Sequence, residues 1–316
     1  MAAPPPNSYI SGFPNCKEFP MSTTAQNPGK PRLPAWLRVS LSGARPRNEV
    51  RQLLRSLNLH TVCEGANCPN LCECWKQKAA TFMVLGDTCT RNCRFCAVNH
   101  GAPLPVDPEE PVHVAEAVKR LGLRFAVITC VTRDDLADGG AAHIAATIRA
   151  VREQDPTVGI EVLPSDFGGD LTAVDIVMGA GPDVFNHNLE TVARLTPEIR
   201  SHATYERSLA VLAHASQRGA VLGIKTKSGL MLGLGETPDE LRQALADLRG
   251  AGVQILTLGQ YLPPSTDHWP LDRYVPPEEF DEWGRVAREE FGFAAVLSGP
   301  LVRSSYLAEQ AAGQAG

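Results

Sequence analysis

The chain has 316 residues, 43% hydrophobic and 21% charged, enough to bury one sizeable core with a small appendage. A formal net charge of -5 excludes a broad nucleic-acid surface, because binding a phosphate backbone takes clustered Lys and Arg. The longest apolar runs, such as residues 125–131, fall far short of the roughly 20 residues a membrane span needs, so a soluble cytoplasmic protein with no membrane partner is expected.

The first 30 residues hold Pro, Asn and Ser without an apolar signal core, and no Arg precedes Arg32, so neither a secretory signal nor an Arg-rich transit peptide fits. Residues 1–34 are expected to be disordered. Met21 opens an equally plausible start, which makes residues 1–20 an upstream extension and leaves Cys16 without a role. A cysteine-bearing N-terminal extension is expected over 35–80, with a helix over 48–57 ahead of its cysteines.

From residue 81 strands and helices alternate. Short apolar runs rich in β-branched residues at 81–85, 125–131, 159–163, 183–185, 221–225 and 253–258 read as buried parallel strands. Between them apolar residues recur at helical spacing, as in Val114, Ala117, Val118 and Leu121, in Ile144, Thr147, Ile148 and Val151, and in Leu241, Ala244, Leu245 and Leu248. Repeated βα units give an open doubly wound sheet or a barrel, and in both the reactive groups gather beyond the carboxyl ends of the strands. Six strands with a cysteine loop after the first favour an α/β fold built as a partial (β/α)6 TIM-like barrel over 81–292, with a last strand and tail over 293–316.

Polar residues follow that logic. Thr129, Arg133, Asp134 and Asp135 follow the second strand, Glu161 lies near the end of the third, Asn186 and Asn188 end the fourth, and Lys225 and Lys227 end the fifth. Asn186 and Asn188 are two apart and share one face of a strand end, so they are expected to face the lumen while His187 points away. Arg133, Asp134 and Asp135 fit equally a salt-bridged rim or a set of ligand contacts. His143 and His214 fall on helices and receive no role.

Nine cysteines are too sparse for a disulfide scaffold, and six of them form two triplets, Cys63-x4-Cys68-x5-Cys74 and Cys89-x3-Cys93-x2-Cys96. Each triplet is one ligand short of closing an iron-sulfur cube and leaves one iron free for a substrate, a cofactor or an unusual protein ligand. A zinc site is the weaker alternative, because common zinc sites pair Cys-x2-Cys units. Cys72 blurs the first triplet, since Cys68-x3-Cys72 is also plausible spacing. Cys130, inside an apolar strand, reads as a small buried hydrophobe.

The loop CTRNCRFC from Cys89, with Phe95 before its last cysteine, resembles the radical S-adenosylmethionine superfamily. Together with CEGANCPNLCECW from Cys63, and with RDDLADGG from Arg133, VFNHNLET from Val184, TKSGLMLGLGET from Thr226, TLGQYLPPS from Thr257, RYVPPEEF from Arg273 and RSSYLA from Arg303, it resembles lipoyl synthases over roughly residues 35–308. The resemblance implies a radical S-adenosylmethionine type barrel and two 4Fe-4S clusters. One is held by Cys89, Cys93 and Cys96 and binds S-adenosylmethionine at its free iron. The other, auxiliary, is held by Cys63, Cys68, Cys74 and Ser305. It favours Cys74 over Cys72, because the family places the ligand directly before Trp75.

The implied reaction inserts two sulfurs, at C6 and C8 of an octanoyl-lysine, consuming two S-adenosylmethionine molecules and using the auxiliary cluster as sulfur donor. The implied partners are octanoylated lipoyl carrier domains, of 2-oxo acid dehydrogenase E2 subunits or glycine cleavage H protein, and a ferredoxin or flavodoxin reductant. Asn186, Asn188, Glu190, Lys225 and Glu161 are expected either to contact S-adenosylmethionine or to cap the βα turns, and Gly233 and Gly235 to lie near its adenine. A biotin-synthase-like sulfur inserter shares the second triplet but has no use for the first together with RSSY, and a two-cluster electron carrier would not cleave S-adenosylmethionine.

Overall fold

The computed structural model describes residues 33–38, 44–66, 68–76 and 80–315, without the side chains of 44–47, 72 and 76. Cys16, the side chain of Cys72 and nearly all of the segment expected to be disordered lie outside the described residues.

Helix α1 (Ala44–Ser56) leads into strand β1 (His60–Thr61) and two short helices, α2 (Val62–Gly65) and α3 (Leu71–Lys76). Strand β2 (Thr81–Val84) opens the main sheet, and the cysteine loop after it is pinned by the small parallel pair β3 (Thr88–Cys89) and β4 (Asn99–His100). Then come α4 (Glu110–Leu121), β5 (Phe125–Cys130), α5 (Ala141–Gln154), β6 (Gly159–Leu163), α6 (Leu171–Met178), β7 (Val184–Asn186), α7 (Thr196–Ile199) and α8 (Tyr205–Leu222). The chain finishes with β8 (Lys225–Leu232), α9 (Pro238–Gly250), β9 (Ile255–Gln260), α10 (Pro277–Glu289), β10 (Ala295–Gly299) and α11 (Ala308–Gln314).

The sheet runs β1-β2-β5-β6-β7-β8-β9-β10, parallel at every step except β1 with β2. This is the expected incomplete barrel. Local chemistry starts its helices: Thr237 and Glu240 form a reciprocal capping box at α9, with Pro238 in the first turn. The last strand does more than expected, because β10 extends the same parallel sheet by pairing with β9 from Ala295 to Gly299.

One strand is misplaced by the sequence. The apolar run 221–225 is not the fifth strand, since Val221 and Leu222 end α8 and Val221 is 80% exposed. Gly223 (φ 75°) closes that helix in the left-handed conformation, its N–H bonded to Gly219 O. The strand proper is Lys225–Leu232, so Lys225 begins it instead of ending it.

The row of strands has ends at β1 and β10, and the chain after β10 runs across that open side. At its top Val302 lies against Gly259 of β9, where a Cβ would stand 2.2 Å from Val302 O. Midway, Asn70 Nδ2 donates to Leu301 O (2.6 Å), Thr81 Oγ1 donates to Ser305 Oγ (2.9 Å) and Tyr306 OH donates to Glu73 Oε1 (3.1 Å). At the bottom α11 covers the strand starts, with Ala311 packed among Val184, Ile255 and Ala295.

The contact at Gly259 should be unforgiving. Gly259→Ala is expected to cost about 1–3 kcal/mol through overpacking and to open the tail to trypsin after Arg303; denaturant midpoints and cleavage rates equal to those of the parent would show that this contact does not hold the tail.

Candidate active site

The cysteine loop is fastened at the carboxyl ends of the strands by its own backbone and by two arginines. Thr90 N donates to Thr132 O (3.0 Å), Arg94 N donates to Ile199 O (2.8 Å), and Trp269 N donates back to Arg94 O (2.7 Å). Arg91 grips Asp134 through Nε and Nη2 (both 2.8 Å) and Asp166 through Nη2 (2.7 Å). Arg133 pairs with Asp135 (2.9 Å) and donates to Leu85 O (3.1 Å), so these residues form the salt-bridged rim and not a free ligand cluster.

One cavity of about 590 Å³ joins the two cysteine motifs. Cys89, Cys93 and Cys96 line it, as do Cys63, Cys68 and Ser305. Cys74 does not line it, yet its thiol lies close enough to Cys63 and Cys68 for mutual repulsion. Between the two groups the walls include Val62, Met83, Val98, Leu163, Leu230 and Met231, an apolar surface contributed by α2, β2, the cysteine loop, β6 and β8.

The thiols fit clusters chemically. Burial pushes Cys63 up to about 11 and Cys74 and Cys96 up to about 12, with repulsion from the other thiols of the same triplet adding to it. Burial also raises Cys68 and Cys93. Thiolates so buried need cations among them, which iron supplies. Among the described residues no three His, Cys, Asp or Glu side chains converge on one point as a mononuclear site requires; a cubane takes each thiolate on a different iron, so its ligands need to ring a volume. Thr81 ties the first group together, its N–H bonding the Cys63 thiol and its hydroxyl bonding Ser305.

The other expected residues divide into two layers. Asn188 and Glu190 line the cavity. Asn188 Oδ1 is buried without a partner among the described residues, over Gly229, where a Cβ would approach it to 3.0 Å. Glu190 holds a left-handed conformation (φ 69°), stitched to β8 by Glu190 N to Gly229 O and Met231 N to Glu190 O (both 2.9 Å). Burial pushes its carboxyl up, opposed by Arg200 and by a hydrogen bond from Asn188.

Glu161 and Asn186 do not reach the cavity. Glu161 is mid-strand, accepting from Lys227 Nζ (2.9 and 2.8 Å) and Asn186 Nδ2 (2.8 Å) in a fully buried network in which Asn186 Oδ1 has no partner among the described residues. Leu163, Asn188 and Gly229 stand two residues further along the same three strand paths and line the cavity, so this network is the layer below it. Lys225 is a correction: it opens β8 at the opposite end of the barrel, and its ammonium donates to Ala312 O of α11 (2.6 Å).

Arg200, His187 and Cys130 line the cavity without having been expected to. Cys130 packs against the main core as expected, and its buried thiol, raised to about 12 mainly by burial, also lies near Cys89 at the cavity wall. Arg200 Nη1 donates to Leu189 O (3.3 Å) and Ser208 Oγ (2.8 Å), which places its charge against Glu190 and Cys93. It follows α7, where no strand-end rule points to it.

Two family models match the chain: the radical SAM superfamily over residues 83–248, and the N-terminal domain of lipoyl synthase of the radical SAM family over residues 7–68. Lipoyl synthase from Methylococcus capsulatus is 54% identical over 309 residues, covering 97% of this chain and 94% of that protein. Lipoyl synthase from Thermus thermophilus is 54% identical over 283 residues, 88% and 85% of the two chains. The chain belongs to the lipoyl synthase family. The match over residues 7–68 takes in residues 7–20, which the sequence reading set aside as an extension.

Membership in this family implies a 4Fe-4S cluster with S-adenosylmethionine and a second cluster, and the two thiol groups are the places in the described chain that suit them. Solved structures of low identity share the fold alone. HydG, a maturase of the FeFe-hydrogenase, aligns with a TM-score of 0.54 at 15% identity over 83% of this chain and 58% of its own. SuiB of Streptococcus suis bound to the precursor peptide SuiA aligns with a TM-score of 0.54 at 12% identity, over 73% and 52% of the two chains. No helix among the described residues is long and apolar enough to cross a membrane.

His187 reports on the wall of this lipoyl synthase family site. Pro164 O can only accept, so His187 Nδ1 carries the proton (3.2 Å) and Nε2 accepts from Ser208 (3.1 Å). Burial, reinforced by Arg200, holds the ring down at about 4. Since the unfolded chain binds this proton first, stability is full above about pH 6.5 and falls as the pH drops toward 4, by roughly 3 kcal/mol. Urea titrations at pH 6.5 and 4.5 should show that loss shrink in His187→Gln; equal losses in the two proteins would contradict the assignment.

Proposed function

We propose that the chain is a sulfurtransferase that replaces C–H bonds at C6 and C8 of a protein-bound octanoyl-lysine with C–S bonds, forming a lipoyl group. The observation that carries this is that one cavity is lined by cysteines of both groups together with apolar side chains. A 4Fe-4S cluster held there with S-adenosylmethionine would provide the radical chemistry that unactivated carbon requires, and a second cluster would be the source of sulfur.

The protein's own part is placement. Cys89, Cys93 and Cys96 would hold the first cluster, and Cys63, Cys68, Cys74 and Ser305 the second. Met83, Val98, Leu163 and Leu230 would seat the octanoyl chain and keep water from it. Asn188, with its free carbonyl oxygen, and Glu190, a buried carboxyl, would receive the polar groups of S-adenosylmethionine, while Glu161, Asn186 and Lys227 hold the layer beneath. Residues 35–80 and 293–316 act as extensions that build the second cluster site onto the barrel. The substrates are octanoylated E2 or H protein domains and the electrons come from ferredoxin or flavodoxin, in the cytoplasm. Two S-adenosylmethionine molecules are consumed per lipoyl group, one for each C–H bond.

A biotin-synthase-like reaction would leave the Cys63 group idle. The two triplets can be separated experimentally. Under anaerobic conditions with dithionite, octanoylated H protein and S-adenosylmethionine, Cys89→Ala is expected to lose 5'-deoxyadenosine formation, whereas Cys68→Ala should still form it but leave the H protein without added sulfur by mass spectrometry. Sulfur insertion by Cys68→Ala would refute the assigned roles.

Ser305, which accepts a hydrogen bond from Thr81, would be an oxygen ligand among thiolates, a poorer match for soft cluster iron and so the weak point at which the cluster would give up sulfur. Ser305→Cys is expected to keep its full iron content yet lose sulfur transfer by an order of magnitude or more. Turnover equal to the parent's would count against release at this ligand.

A further inference from the structure

We propose that Arg303 is the fixed counter-cation of the second cluster, seated beside Cys68 to balance its negative charge and to raise its reduction potential. This rests on the reading above that Cys63, Cys68, Cys74 and Ser305 hold that cluster.

Among the described residues the buried arginines lie near carboxylates, whereas Arg303 is partly exposed at the cavity wall. Arg91 has Asp134 and Asp166, Arg133 has Asp135, and Arg200 has Glu190. Arg303 forms no ion pair among them. Its Nη1 donates to Val302 O (2.7 Å) and Pro300 O (3.5 Å), leaving Nε and Nη2 without partners among the described residues. Arg303 and Cys68 line the same cavity, where the guanidinium favours the Cys68 thiolate against the burial that raises it.

The backbone puts it there. Gly259 at the end of β9 lets Val302 O approach so closely that a Cβ would stand 2.2 Å away, and the same Cβ would lie 3.6 Å from Arg303 Nη1. Asn70 and Thr81 fix the tail on both sides of it, through Leu301 O and Ser305 Oγ. The nearby carboxylate of Glu73 is turned to Tyr306 OH (3.1 Å) and adds its charge to Cys74, so it does not neutralise the guanidinium.

A partly exposed guanidinium on the cavity wall, held by its backbone contacts and without a carboxylate partner among the described residues, suits an anion bound in that cavity. A 4Fe-4S cube on three thiolates and an alkoxide has net negative charge, and charge and hydrogen bonds beside its sulfurs set its potential. The free Nε and Nη2 donors supply both. The planar fork can address a sulfide and a thiolate together, which a lysine cannot.

The test uses the full chain with Cys89, Cys93 and Cys96 changed to Ala, reconstituted anaerobically so that only the second cluster is seen, with Arg303→Gln and Arg303→Lys made in that background. Iron is counted and the midpoint potential is read by electron paramagnetic resonance during a redox titration. The potential is expected to fall in Arg303→Gln and to fall less in Arg303→Lys; loss of iron in Gln with retention in Lys also supports the role. Equal iron and equal potential in Arg303→Gln would overturn it, as would a Lys variant no better than Gln. Unchanged potential with weakened S-adenosylmethionine binding in the Cys-complete Arg303→Gln protein would reassign the guanidinium to that carboxylate. A parent that binds no iron would instead bring down the ligand assignment, and this inference with it.

Discussion

A parallel sheet that curls but stops before its first and last strands meet has an open side, and the unpaired edges there must be covered. In this chain β1 and α2 stand on one side of that opening and the tail after β10 crosses it, held by Gly259 above, Thr81 and Asn70 midway and α11 below. The covering is not passive. The segments that close the gap carry Cys63, Cys68, Cys74, Arg303 and Ser305, so the device that covers the open side also supplies part of the cavity wall.

The same closure sets the electrostatics. Thiols from both motifs are raised by burial in one apolar cavity, and the rim pairs that fasten the loop, Arg91 with Asp134 and Asp166 and Arg133 with Asp135, spend their charges on one another. Beyond those pairs, what lines the cavity is Glu190, Arg200, Arg303, the neutral ring of His187 and the carbonyl of Asn188. A cavity so poor in acid and base groups suits radical chemistry on an alkyl chain, which needs placement and dryness more than proton transfer.

Much of this was legible in the residues. The strand and helix alternation gave the barrel because buried parallel strands are short apolar runs, and the cysteine spacings picked out two groups of thiols, members of both of which line one cavity. The failures were local. The run 221–225 had the composition of a strand, yet Gly223 ends a helix within it, and that misplacement moved Lys225 from the floor of the barrel to its mouth. Glu161 and Asn186 had the right faces but the wrong depth, since period-two alternation tells in from out and not one layer from the next. Arg200 was missed because it follows a four-residue helix and no periodicity announces it.

By itself the sequence determined the fold class, the two cysteine groups and the chemistry their spacing permits, because those are properties of neighbouring residues along the chain. Only the tertiary structure decided that both groups face one cavity, that Ser305 stands 2.9 Å from Thr81 across a sequence separation of 224, and that Arg303 has no carboxylate partner among the described residues. Those facts depend on where an open sheet is closed and on which charges the closure leaves unpaired, and long-range packing sets both.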